Sequence, residues 1–311
     1  MLTSPDLPAE PLYKGWYHVG FVREDSDEIT PATIGQLALI LVRRDRTVRA
    51  FDAHCPHRGA HLGYGGRVAG EFVVCPFHGR RIALGDDSGT EYCVREYQTV
   101  QAGTAVFVLL RGEHENGLGE FVRRLAERHW LIAGFTLEAA VPPSIVIENA
   151  VDADHFHTVH GIERGAHFVP GESEHGELAV DATFPIPGPN PWQDEFRTSK
   201  AALRMRFSTR VFSPNVVATE LGNPPASHVV FTSATPTPSG GSVIRVTLAT
   251  PRGAEGAPPD KDVVLGLLRD SRTAFEQDMV IWEHLATNAP CRYGPGDWAV
   301  ADYRRFCERF V

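Results

Sequence analysis

The sequence predicts an α+β protein, with an all-β amino-terminal domain followed by an α+β domain whose antiparallel sheet is flanked by helices. Three observations carry this expectation. Short apolar runs of strand length, parted by Gly- and Asp-rich turns, fill the chain from Gly15 to about Leu110. A glycine-rich, charged piece, "RGEHENGLGE" (Arg111 to Glu120), then interrupts the pattern. A single long helical periodicity appears only after Pro259. With 311 residues the chain is long enough for two domains with sizeable cores, and we divide it at 1–118 and 119–311.

Taken in order, the first strands are "GWYHVGF", "LALILVRR", "VRAFDA", "EFVVCP", "VREYQTV" and "TAVFVLL", a spacing that suits a small barrel or sandwich. Past the linker, "EFVRRLAERHW" reads as a short helix. "VVFTSATP" and "SVIRVTLAT" flank the turn "TPSGG" and predict a hairpin. From Pro259 to about Ala286, Val263, Val264, Leu267 and Leu268 recur at helical spacing, as do Phe275, Met279 and Trp282. Pro258 and Pro259 precede this helix, and Asp260 is its expected cap.

Composition narrows the function. Thirty basic against 39 acidic residues give a net charge of −9, which argues against a nucleic-acid or anionic-membrane surface. The amino terminus lacks a basic and apolar leader, and runs such as "LALILV" are far short of a membrane span. Five cysteines are neither an even set nor a disulfide framework, so we expect a cytoplasmic protein.

Cys55, His57, Cys75 and His78 form C-x-H and C-x2-H pairs seventeen residues apart in "CPHRGAHLGYGGRVAGEFVVCPFHG". Pro56, Gly59, Pro76 and Gly79 shape two tight loops. Structural zinc usually takes unmixed C-x2-C or H-x3-5-H pairs. Here each loop mixes its donors, so each would give one ligand to each iron of a 2Fe–2S centre, cysteines on one iron and histidines on the other. The motif resembles that of the Rieske non-haem iron oxygenases. His54 and His61 flank it outside the spacing. Ala60 and Phe77 stand where respiratory Rieske proteins carry a bridging disulfide. After the second "HG", similar oxygenases often have an aromatic, whereas this chain has Arg80 and Arg81.

The stretch "ENAVDADHFHTVHG" (Glu148 to Gly161) crowds aspartates and histidines among apolar residues. At ~100° per residue, His155 and His160 diverge by about 140° on an ideal helix, so His157 and His160 would share a face better. The resemblance decides otherwise. The family's D-x2-H-x4-H signature matches Asp152, His155 and His160, which implies a mononuclear Fe(II) held by both histidines and a backbone locally wider than an α-helix, as in a π-bulge. His157 and Asp154 then read as neighbouring or solvent residues.

Two histidines and one carboxylate on one face leave positions for oxygen. In "FEQDMVIWE", Asp278 shares the apolar stripe of Phe275, Met279 and Trp282, a costly place for a carboxylate without compensation. Glu276 and Glu283 align less well. The segment resembles the "Q-D-x-x-I-W" helix of the family's ketosteroid-hydroxylase-like branch, which makes Asp278 the third ligand. Asp152, by resemblance, bonds an iron-ligating histidine and reaches across a subunit boundary to His78.

The resemblance, from Trp16 to "DYRRFCERFV", implies the terminal oxygenase (α component) of a Rieske system, using O2 as co-substrate. It implies a homotrimer, since the two metal centres of one subunit lie too far apart. No G-x-G-x-x-G or second Cys cluster is present, so a separate NAD(P)H-dependent reductase, with or without a ferredoxin, is the expected electron source. The expected reaction is monooxygenation of a bulky apolar molecule such as a steroid, terpenoid or polycyclic metabolite. The rival reading is an electron carrier or redox sensor with a non-catalytic second domain. Cys93, Cys291 and Cys307 have no ligand spacing and read as packing residues.

Overall fold

The computed structural model describes residues 12–23, 25, 28–85, 89–162, 167–185, 204–287 and 289–311. Its first part is all strand, as expected. β1 (Trp16–Phe21), β2 (Ile29–Ile34), β3 (Leu37–Arg44) and β4 (Thr47–Asp52) are followed by a small sheet of β5 (Arg67–Val68), β6 (Phe72–Val74), β7 (Arg81–Leu84) and β8 (Cys93–Val94). Then come β9 (Glu96–Ala102) and β10 (Ala105–Leu109), which complete a six-stranded sheet in the order β1-β10-β9-β4-β3-β2.

The linker region ends in α1 (Leu118–Arg128), an amphipathic helix that buries Leu118, Val122 and Leu125. It has the length of "EFVRRLAERHW" but lies two residues earlier, because His129 turns extended and opens β11 (His129–Ala139). Next come α2 (Pro143–Glu148), a 3-10 turn over Asn149–Val151 and α3 (Ala153–Thr158). Strands β12 (His167–Pro170), β13 (Leu178–Pro185), β14 (Arg204–Ser213), β15 (Val216–Leu221), β16 (His228–Pro236) and β17 (Ser242–Pro251) follow. Together with β11 they form a seven-stranded sheet in the order β11-β17-β16-β15-β14-β13-β12, antiparallel throughout. The chain ends with α4 (Lys261–Trp282) and α5 (Trp298–Glu308).

The large sheet is covered on both faces at its centre, where β16 and β17 bury residues of both sets. Alternate residues point opposite ways. Val229 and Phe231 of β16 pack with Trp16, Phe107 and α1, whereas Val230 packs with Val264, Leu267, Leu268 and Phe275 of α4. The amino-terminal sheet and the large sheet thus share one apolar cluster, with Trp16 fully buried in it. A polar knot is buried in the same junction. His18 Nδ1 lies 2.9 Å from Ser233 Oγ, and the Thr235 hydroxyl and Arg245 guanidinium donate to the His18 carbonyl. A separate cluster, including Phe51, Leu62, Val73 and Ile82, lies beneath Cys55 and Cys75.

Candidate metal centres

The first four predicted donors converge from two loops built alike. The loop after β4 bonds Cys55 N–H to the Ala60 carbonyl and Gly59 N–H to the Cys55 carbonyl. The loop after β6 repeats both bonds, from Cys75 to Arg80 and from Gly79 to Cys75. Each closes on a glycine at positive φ, 71° at Gly59 and 66° at Gly79, which a side chain would strain. Cys55 and Cys75 are buried and their thiols touch, and the backbone N–H groups of His57 and Arg58 point at the Cys55 sulfur. The His57 and His78 rings stand edge to face with centroids 4.9 Å apart.

The chemistry of this donor set fits an iron–sulfur centre. Burial, aided by the neighbouring Cys75, pushes the Cys55 thiol up, so a thiolate there calls for a compensating cation. Burial, then Arg80, His78 and Arg58, holds His57 down in the neutral form that binds metals. Among the described residues, His57 Nδ1 is buried without a hydrogen-bond partner, as a nitrogen kept for a metal would be. Among the described residues, these four donors do not gather any three within 4.8 Å, whereas a second set does. A single tetrahedral zinc would need them closer.

That second set is His155, His160 and Asp278. Asp152 caps α3, its Oδ1 accepting from the backbone N–H of Asp154 (3.1 Å) and His155 (3.4 Å). The imidazole of His155 is fixed by donation from Nδ1 to the Asp152 backbone carbonyl at 2.7 Å, not to its carboxylate. His160 lies beyond the end of α3. No π-bulge occurs in α3. The helix stops at Thr158, and Ile162 N–H closes back on the Phe156 carbonyl across Gly161 at φ 68°. This turn is one residue wider than the usual 6→1 helix end. The extra residue brings His160 round, so that its Nε2 lies 3.2 Å from His155 Nε2 and 3.5 Å from Asp278 Oδ1. His157 points elsewhere, donating from Nδ1 to the Ile162 carbonyl at 2.7 Å. Asp154 is exposed, as are Glu276, which pairs with Arg272, and Glu283.

Asp278 is 5% exposed, on the buried stripe of α4. Burial raises its carboxyl, against the opposing pull of His155, His160 and the Asn149 side chain. Burial likewise lowers His155. Both Nδ1 protons are spoken for, since His160 donates to Gln277 Oε1 at 2.9 Å, so both Nε2 lone pairs face the same point. Two converging imidazole lone pairs and a buried carboxylate fit a divalent cation. Asn149 and Gln277 were missed in the sequence reading. Their one signal was adjacency, six residues before His155 and one before Asp278.

A cavity of about 170 Å3 adjoins these three residues, His155, His160 and Asp278. Its walls are mostly apolar, including Val146, Phe207, Leu221, Val230 and Phe275, with hydroxyls at Thr219, Thr232 and Ser271. Arg80 and Arg81 stack on Tyr92 and Phe72, guanidinium to ring 4.8 and 4.4 Å, which gives them a packing role beside the first centre.

Residues 15–101 match the Rieske [2Fe-2S] domain family, and residues 119–311 match the 3-ketosteroid 9alpha-hydroxylase C-terminal domain family. Cholesterol 7-desaturase of Bombyx mori is 27% identical over 162 residues, 48% of this chain and 36% of the relative. The carnitine monooxygenase oxygenase subunit of Escherichia coli (strain K12) is 34% identical over 68 residues, 21% of this chain and 18% of the relative. The match thus spans about a third of the length of the first of these curated relatives and less than a fifth of the second. Solved structures share the fold, two of them as follows. Dicamba monooxygenase bound to dicamba aligns with a TM-score of 0.70 at 17% identity, covering 96% of this chain and 97% of the other. Pseudomonas putida CBB5 NdmA with caffeine aligns at 0.65 and 17%, covering 94% and 89%. No helix among the described residues is long and apolar enough to cross a membrane. With both domain types in sequence, the chain belongs to the Rieske non-haem iron oxygenases, oxidoreductases with a 2Fe–2S cluster and a mononuclear iron that use O2, and its catalytic domain is of the 3-ketosteroid 9alpha-hydroxylase type.

Proposed function

We propose that this chain is the terminal oxygenase of a multicomponent Rieske system and hydroxylates a bulky apolar molecule such as a steroid, terpenoid or polycyclic metabolite. Residues 1–118 form the Rieske domain in this reading and residues 119–311 the catalytic domain. Cys55 and Cys75 hold one iron of the cluster, His57 and His78 the other, and His155, His160 and Asp278 hold the mononuclear iron. When bound, these groups supply single-electron transfer and O2 reduction. The protein's own part is to bind the substrate, orient it and keep water away. The observation that carries the reading is the apolar cavity that opens onto His155, His160 and Asp278. Its few hydroxyls would orient a substrate without making the pocket wet. The named activities of the relatives, on cholesterol, carnitine and dicamba, span desaturation and monooxygenation.

A separate reductase, with or without a ferredoxin, supplies the electrons in the cytoplasm, and the working assembly is a homotrimer. His78 and Phe77 are exposed in the second loop, which leaves them free to meet a neighbouring subunit in this reading. Asp152 would bridge to that neighbour's cluster through Oδ2, which the helix cap leaves unused.

Iron quantitation on anaerobically purified protein, with a substrate panel and a surrogate reductase, tests the proposal. About three irons per chain and an O2-dependent hydroxylated product are expected. Two irons per chain with no product would make it an electron carrier, and one zinc with no colour would overturn the reading altogether.

A further inference from the structure

The two histidines of the mononuclear site are held by unlike means. His155 stands inside α3, and its Nδ1 proton goes to the backbone carbonyl of Asp152 one turn earlier, a partner the helix cap fixes in place. His160 stands past the helix end, in the widened turn across Gly161, and among the described residues no backbone group bonds its ring. Its Nδ1 partner is Gln277 Oε1 at 2.9 Å, 117 residues away on α4.

We propose that Gln277 is the positioning residue of the iron site: it fixes the tautomer and ring angle of His160, so that Nε2 presents its lone pair to the metal. This rests on the reading of His155, His160 and Asp278 as iron ligands. A ring free to turn about Cβ–Cγ would take Nε2 away from Asp278 and place a carbon there. The amide oxygen prevents this because Nδ1–H can donate to it in only one ring orientation. Gln277 directly precedes Asp278, so one helix sets a ligand and the orienter of another, and any shift of α4 moves both together. A carboxamide also does this without charge, so it leaves Asp278 as the one anion contributed by α4 at this point.

The test compares Gln277→Leu, Gln277→Glu and Asp278→Ala in the full-length, cluster-loaded protein. Affinity for the mononuclear iron(II) is read by chelator competition. The EPR spectrum after nitric oxide addition reports ligand geometry independently of turnover. Gln277→Leu is expected to lose ~10–100-fold in iron affinity and broaden the nitric oxide signal. Gln277→Glu, which keeps an acceptor, restores both, and the cluster EPR and melting temperature stay unchanged because Gln277 is exposed. Wild-type affinity and lineshape in Gln277→Leu, with iron lost in Asp278→Ala, would show that water replaces the amide and would overturn the proposal alone. Iron retained in Asp278→Ala would instead overturn the site on which it rests.

Discussion

Asp152 does two separable things at the level of a single side chain. Its Oδ1 caps α3, and its carboxylate is the proposed bridge between redox centres. Asparagine keeps an oxygen acceptor and caps helices about as well as aspartate, so Asp152→Asn preserves the first role and removes the charge needed for the second. We expect an unchanged melting temperature and full iron content, with cluster reoxidation by substrate and O2 slowed ~10–100-fold in stopped-flow measurements. Wild-type reoxidation would leave Asp152 as a cap only. The Cys/His pairs were legible in the sequence because few side chains bind iron and their loops need fixed spacing. Asn149 and Gln277 were not, because a single amide carries no periodicity and acts through a contact made only by folding.

Helix α4 shows how well a whole element can be read. Its apolar stripe, the preceding prolines and the Asp260 cap all agree, and Asp260 accepts from the N–H groups of Asp262 (2.7 Å) and Val263 (3.2 Å). Asp260→Ala is expected to cost about 1 kcal/mol, within the ~0.5–2 range for lost caps, read as a lower melting temperature by calorimetry. No change would mean the start of α4 is held by packing alone. Helix α3 could not be read so far. Periodicity favoured His157 with His160, and only the unwound turn at Gly161 reverses this. A helix end that opens by one residue leaves no trace in a 3.6-residue pattern. β11 was hidden for a related reason: its mixed burial, most residues half-covered, follows neither alternation nor a continuous apolar run.

Across the whole molecule, the two domains share a core, so they should not unfold separately. Trp16 of β1 sits at 0% exposure against residues of the large sheet and donates from Nε1 to the Glu115 carbonyl. Trp16→Ala is expected to cost about 3–5 kcal/mol. A large apolar junction of this kind disfavours relative motion of its halves. The buried knot beside Trp16 adds a pH dependence. Burial, then the Arg245 charge, holds His18 well below its ordinary value, so the folded state favours neutral imidazole. That contribution is present above the unfolded value of about 6.5 and is lost as pH falls below it. Melting temperature should therefore drop from about pH 7 to pH 5.5, and His18→Gln should flatten the drop. A slope unchanged in His18→Gln would assign it to other groups. The sequence could announce two domains through the change of pattern near Arg111, but it could not announce their shared core, since Trp16 and Phe231 carry no mark of being partners.

The face of α4 that lines the cavity also sets a length. Ser271 and Asp278 are seven residues apart and both border the pocket, which on an α-helix puts them on one side with about 10.5 Å between them along the axis. A substrate that anchors an oxygen on the Ser271 hydroxyl would offer to the iron whichever carbon lies that far along its skeleton. Regiochemistry then belongs to the pitch of a helix rather than to the reactivity of a C–H bond. Ser271→Ala should scatter a single product into positional isomers, visible by mass spectrometry and NMR, and one unchanged isomer would show that the anchor lies elsewhere.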